Sequence, residues 1–290
     1  VTKAKGAPTI GKSKPEPDRA QEPVVQRIRI RYAKRGRLRF TSHRDFARAL
    51  ERAVRRAKIP IAYSAGFSPH PKISYVGAAP TGVASEAEYA ELGLSRPVAP
   101  EDLRSALDAV LPEGLDVVEA VEAGPGGLAE RIEVSRWRIE LPGVATDRLQ
   151  SAVAKFTAAE QVTVERLTKQ GRRELDARAA VVRCDVVRPD TDTEPEKSDS
   201  YEIAGSPSRV SVPAGVDSTP CAILDLVVRH VTPSVRPDEV LAGLRVVADL
   251  EPPVPVRATR LAQGALTEHG DIVDPLMVDH EGHLSGRPSP

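Results

Sequence analysis

From Arg27 to Tyr32 the chain reads Arg-Ile-Arg-Ile-Arg-Tyr, an unbroken alternation of charged and apolar residues. A period of two is the spacing of a pleated strand, and only a strand with one buried face accommodates it. Ile28, Ile30 and Tyr32 must face a core, with Arg27, Arg29 and Arg31 on the opposite side. Lys34-Arg35-Gly36 supplies a short turn, and Arg37-Leu38-Arg39-Phe40 alternates again as a predicted return strand. That hairpin sets Leu38 and Phe40 toward the core and gathers Arg27, Arg29, Arg31, Arg37 and Arg39 on one face. Like charges across a strand pair each cost roughly a few tenths of a kcal/mol. Such a face calls for a negative partner: phosphate, which guanidinium forks grip bidentately, or carboxylates of the chain's own second half.

The elements that follow set the fold class. A helix is predicted from His43 to Ala57, with Ser42 at its N-cap and Asp45 three residues later in place of the usual capping-box Glu. Its apolar stripe is Phe46, Ala49, Leu50, Ala53, Val54 and Ala57, and Arg44, Arg48, Arg52, Arg55 and Arg56 lie off it. Strands over 72–76 and 88–94, a helix over 100–111 and a strand over 115–121 complete a first half. A looser repeat follows: strands over 133–141, 162–167, 173–187, 209–212 and 222–231, with helices over 147–156 and 237–250. Strands with interspersed helices and no regular βα alternation predict an α+β fold. We read it as two fused α+β halves, each ferredoxin-like, with helices packed on largely antiparallel sheets. The predicted organisation is a disordered tail over 1–23, a basic half over 24–127, a second half over 128–250 and a mostly extended tail over 251–290. Within that tail a short docked piece is expected around Val256 to Leu266.

Charge is distributed unevenly. The net charge is zero, yet residues 24–80 carry 14 Lys and Arg against 2 acids, and residues 81–290 carry 22 against 36. The basic segment suits a polyanionic partner, and neutralisation by the acidic half is the alternative. With aromatics at only 3% of the chain, the core must be aliphatic. No apolar run approaches the roughly 18 residues of a membrane span, and no secretory leader is evident, so a cytoplasmic location and no membrane partner are expected. Two cysteines, Cys184 and Cys221, are too few for a disulfide scaffold, and both fall in apolar strand patterns as buried small hydrophobes.

The candidate chemistry sits in one stretch. His43 opens a helix, where backbone N–H groups favour anions. His70 lies between Pro69 and Pro71 after Gly66-Phe67-Ser68, and each proline stiffens the residue before it. A histidine so displayed suits general acid–base work or a phosphate contact near neutral pH. Glu86 is the candidate orienting carboxylate, and Glu86 or Glu88 is placed to pair with upstream arginines. The candidate catalytic set is therefore His43, His70 and Glu86. The candidate binding set is Arg27, Arg29, Arg31, Arg37, Arg39, Ser42, Arg48, Ser64, Gly66, Phe67, Ser68 and Lys72. Tyr32 and Phe40 on the core side argue against a base-stacking RNA-recognition sheet. Asp279-His280-Glu281-Gly282-His283 holds metal-capable residues in an expected tail with nothing to fix their geometry. No metal and no cofactor are expected.

The Ser42-His43-Arg44-Asp45 start, the RRAKIP end of the helix (Arg55–Pro60) and the run from Tyr63 to Ser74, YSAGFSPHPKIS, resemble a bacterial radical SAM-linked domain of unknown function. Lys169 to Asp176 and Val235 to Val240 extend the resemblance, which covers about Gln26 to Leu250. Arg44 and Phe46 stand where Ser-His-Leu-Asp-Leu is usual, and the His and Asp positions are kept. The resemblance implies a partner, a B12-binding-type radical SAM protein, and neighbours in RNA processing, but no activity. With two distant cysteines the chain lacks the three-cysteine cluster motif, so radical chemistry would reside in another chain. The resulting expectation is an auxiliary module binding RNA, or another phosphate-bearing substrate, for that partner. An acid–base enzyme or a pure interaction subunit stand as alternatives.

Overall fold

The computed structural model describes residues 23–65, 67–168, 171–187 and 220–280. The alternating segment forms β1 (Gln26–Lys34), followed by α1 (His43–Arg56), β2 (Ile73–Val76), β3 (Ala84–Leu94), α2 (Pro100–Asp108) and β4 (Leu115–Glu122). These strands lie in the order β4-β1-β3-β2 with every neighbour antiparallel. That βαββαβ path is a ferredoxin-like unit. Parity holds as read: Ile28, Ile30 and Tyr32 are buried against Phe46, Leu50, Ala53 and Val54 of α1 and Leu103 and Leu107 of α2. The rings of Tyr32 and Phe46 stack at 4.1 Å.

The second unit repeats the path. β5 (Val134–Pro142), α3 (Thr146–Ala158), β8 (Val181–Val187), β9 (Cys221–Arg229), α4 (Pro237–Ala248) and β10 (Arg257–Leu266) give the order β10-β5-β9-β8, again antiparallel throughout. Between α3 and β8 a separate hairpin is inserted, β6 (Thr163–Thr168) and β7 (Gly171–Asp176). The core is aliphatic, as the scarcity of aromatics requires: Ile139, Leu141, Leu149, Leu224, Val240 and Leu244 surround Phe156. The units join edge to edge where β10 runs parallel to the start of β3, Thr259 opposite Ala84 and Arg260 opposite Ser85. One nine-stranded sheet results, with β11 (Ile272–Val273) returning along β10. Gly264 permits that return, since a Cβ there would lie 1.8 Å from the Val273 carbonyl oxygen.

Several expectations change. Gly36–Phe40 is a 3-10 turn rather than a return strand. β1 already has β3 on one edge and β4 on the other, so no edge is free for a hairpin partner. Phe40 consequently points outward, 59% exposed, instead of joining Tyr32 in the core. The predicted strand over 173–187 is two strands, β7 and β8, parted by a turn at residues 177–180. Cys221, at the outer end of β9, is exposed, unlike Cys184. The segment from 257 to 266, placed in a mostly extended tail, is a central strand, because the second unit needs it as its fourth. The tail over 1–22, the acidic stretch over 189–200 and the strand expected over 209–212 lie outside the described residues. Among the described residues no helix is long and apolar enough to cross a membrane.

Candidate functional site

The arginine face of β1 does not stand open. The segment after β11 lies across it and brings carboxylates from far along the chain. Arg29 is 2% exposed. Its Nε donates to Glu91 at 2.9 Å, its Nη1 to both Asp279 oxygens at 2.9 Å, and its Nη2 to the Gly126 carbonyl at 2.5 Å. Asp279 also receives Arg131 at 2.9 Å and the Gly124 N–H. Arg27 donates to Glu91 at 3.0 Å, and Arg31 pairs with Glu119 at 3.1 Å and Asp274 at 3.6 Å. Leu276 seals this layer with Tyr89, Val121, Leu128 and Ile132. Carboxylates of the chain itself, the alternative to phosphate, thus occupy β1, and four of the five Arg29 N–H donors are spent on partners within the chain.

The next arginines differ. α1 begins as the capping pattern requires: Ser42 Oγ accepts from the Asp45 N–H at 3.2 Å and donates to Asp45 Oδ2 at 2.7 Å. Phe46, Leu50, Ala53 and Val54 turn inward, which forces Arg44, Arg48, Arg52, Arg55 and Arg56 to the surface. Arg48 has only a 3.7 Å approach to Asp45, and Arg55 bonds the Glu51 carbonyl of its own helix. Among the described residues Arg37, Arg44, Arg52 and Arg56 form no ion pair. The 3-10 turn leading into α1 adds exposed Arg37, and Arg39 lies 4.8 Å over the ring of exposed Phe40.

The proline-flanked loop is pinched at its neck. Ser64 N–H bonds the His70 carbonyl at 2.9 Å, His70 N–H bonds Ser64 Oγ at 3.0 Å, and Tyr63 bridges Pro71. Phe67 protrudes, 68% exposed, with Ser68 and His70 also exposed and Lys72 half-buried at the base. Gly66 lies outside the described residues. His43 stands edge-on to Tyr75 at 5.1 Å, and Tyr75 in turn meets Phe46. Among the described residues no contact links His43, His70 and Glu86. Glu86 instead forms an ion pair with Arg35, which also holds Asp116 at 2.7 Å. No group of three His, Cys, Asp or Glu side chains among the described residues is placed to hold a metal.

Sequence reasoning missed a second polar cluster, at the seam between the units. Lys34 and Arg260, each 4% exposed, converge on Glu88, 2% exposed. Glu88 pairs with Arg260 and accepts the Ala79 N–H at 2.9 Å, and Lys34 Nζ reaches the Pro80 carbonyl at 3.1 Å. Burial lowers the Lys34 ammonium pKa, Glu88 opposes that shift and Arg260 adds to it. Beside them Ser135 Oγ lies 2.8 Å from His230 Nε2. Burial first, then Arg260, lowers the His230 pKa, while a hydrogen bond to the Ile132 carbonyl works the other way. Nothing local in sequence signals this cluster, since its residues are up to about 230 positions apart and meet only when β10 joins β3.

Comparison with known families bears on residues 27–237, which match one family model. The chain belongs to a family of uncharacterized proteins conserved in bacteria (DUF2344). No curated protein matches it. The match spans both ferredoxin-like units up to the first residue of α4 and includes the basic helix and the proline-flanked loop.

Proposed function

We propose that this DUF2344 chain is an auxiliary module that binds RNA on the surface formed by α1, the 3-10 turn before it and the loop over 64–72. One observation carries the reading. After the chain's own carboxylates have paired the β1 arginines, Arg37, Arg44, Arg52, Arg55 and Arg56 stay exposed without carboxylate partners among the described residues, and Phe40 and Phe67 are exposed as well. Guanidinium groups that the fold leaves unpaired are available to phosphates. Outward-facing aromatics supply stacking surfaces for unpaired bases. The expectation that both aromatics of the first segment face the core argued against base stacking, and the exposure of Phe40 removes that objection for the turn. The resemblance to radical SAM-linked domains supplies the partner for which the RNA is held, a separate radical SAM protein.

The test is binding of a labelled single-stranded RNA, read by fluorescence polarisation. With about four phosphate contacts, affinity falls about 50-fold between roughly 50 and 200 mM salt. Arg44→Glu with Arg52→Glu weakens binding at least tenfold, whereas Arg27→Gln, on the paired face, changes it little. Absence of binding at the lower salt, or indifference to the α1 pair, refutes the proposal.

A further inference from the structure

The seam cluster opens onto a cavity of about 360 Å³. That is the lower end of the range for small-molecule sites, about 300–1,000 Å³. A β-bulge builds it. Along β10, Arg260 pairs with Trp137 but Ala262 pairs with Arg136, so Leu261 is an extra residue. Three residues apart, Arg260 and Gln263 would face opposite sides of a regular strand. The bulge re-aims them to one face, with Trp137 and Ser135 as cross-strand neighbours. The β2–β3 loop of the first unit, at Gly77, Ala78 and Pro80, closes the other side, and Arg236 stands exposed at the rim.

Two independent features of this lining are incomplete. The first is charge. Among the described residues the lining holds two cations, Arg260 and Arg236, and no carboxylate; behind it Glu88 pairs with Arg260, while buried Lys34 reaches only the Ala79 and Pro80 carbonyls. The other acid nearby, Glu239, is engaged by Arg166 Nε at 2.7 Å and by the Arg236 N–H at 2.7 Å. Arg236 forms no ion pair among the described residues and adds a second positive charge. An unbalanced buried cation is costly, and an anion in the cavity offsets that cost. The second is a donor. Trp137 lines the cavity at 5% exposure, under the Arg260 guanidinium at 5.3 Å, and its buried Nε1 has no hydrogen-bond partner. A buried N–H without an acceptor costs about 1–3 kcal/mol.

We propose that the seam between the two units is a binding site for a small organic anion. Its carboxylate or phosphate meets Arg260 and Arg236, and an acceptor atom on its body takes the Trp137 N–H. The site is separate from the RNA surface on α1 and does not rest on it. Ser135 and His230 complete the polar wall. Ser135 Oγ stands between His230 Nε2 at 2.8 Å and Gln263 Oε1, to which it donates at 3.4 Å.

Trp137 is the only tryptophan of the chain, so the site reports on its own occupancy. The experiment titrates the full chain with adenosine 5′-monophosphate, citrate and neutral adenosine, following tryptophan emission. A saturable change with the phosphate or the carboxylate probe, and none with adenosine at equal concentration, is the expected result, and which anion acts separates the two head groups. Arg236→Gln, at an exposed position, weakens that binding at least fivefold. Trp137→Phe, read by calorimetry, weakens it as well. Arg44→Glu with Arg52→Glu leaves it unchanged, which distinguishes this site from the RNA surface. No saturable change with either anion, equal affinity in the Arg236 variant, or loss of binding in the α1 variant overturns the proposal.

Discussion

Replacing Asp279 by Ala tests the packing of the C-terminal segment at its centre. The carboxylate is fully buried and serves two guanidiniums, Arg29 with a side chain 3% exposed and Arg131 with one 14% exposed, together with the Gly124 N–H. Among its buried and half-buried members, Arg29, Arg131, Glu91 and Asp279, charge is balanced, with exposed Arg27 also on Glu91, and the substitution leaves two such cations against one carboxylate. Removing one partner of a buried ion pair costs about 3–5 kcal/mol, most of it from the stranded charge. Arg29 keeps Glu91 and the Gly126 carbonyl, and Arg131 keeps the Pro275 and Pro125 carbonyls, which sets the expectation near the lower end. A loss of about 3 kcal/mol lowers Tm by roughly 6–12 °C for a domain of this scale. Urea unfolding followed by circular dichroism measures the loss directly. In a double-mutant cycle with Arg29→Ala, the pair of substitutions costs less than the sum of the two, by about 1–3 kcal/mol. A loss below about 1 kcal/mol, within the range of an exposed surface pair, together with additivity in the cycle, would mean that the β1 arginines are free after all and that the docked segment is not what neutralises them.

Two further outcomes follow from buried groups. Burial lowers the His230 pKa from its ordinary 6.5, so the unfolded chain binds the proton more tightly than the folded one. Stability therefore falls as pH drops through about 6.5, and His230→Gln flattens the stability–pH curve just below that value; an unchanged slope refutes the burial argument. The two thiols also separate. Cys184 is buried with its pKa pushed up to about 12, whereas Cys221 is exposed at the end of β9. An aromatic disulfide reagent titrates one thiol in the native chain and two in denaturant, and two fast thiols in the native chain would contradict the packing of β8.

Much of the first unit was legible because its signals are local. Period-two alternation placed β1 and its buried face, and helical spacing with the Ser42 and Asp45 cap placed α1 with its outward arginines. Proline and histidine spacing located the loop whose neck Ser64 and His70 close. The errors came where a neighbour distant in sequence decides. Arg37 to Phe40 alternates as a strand does, but both edges of β1 are taken by β3 and β4, a competition invisible within the segment. The stretch over 257–266 sits among proline and glycine, and its place as a central strand follows only from the second unit's need for a fourth.

Sequence alone determined which way each side chain of β1 and α1 points, since period and covalent geometry set direction. Tertiary structure alone decided what those side chains meet. Arg29 ends in a buried pair because Asp279, 250 residues away, is carried back across the sheet. Arg44 and Arg52 stay open because no acidic segment returns over α1 within ion-pairing reach among the described residues. Glu88, Arg260, Trp137 and Ser135 share one seam because a single extra residue in β10 rotates the strand beneath them. Charge pairing at a few ångströms depends on where the chain returns, which no local pattern encodes.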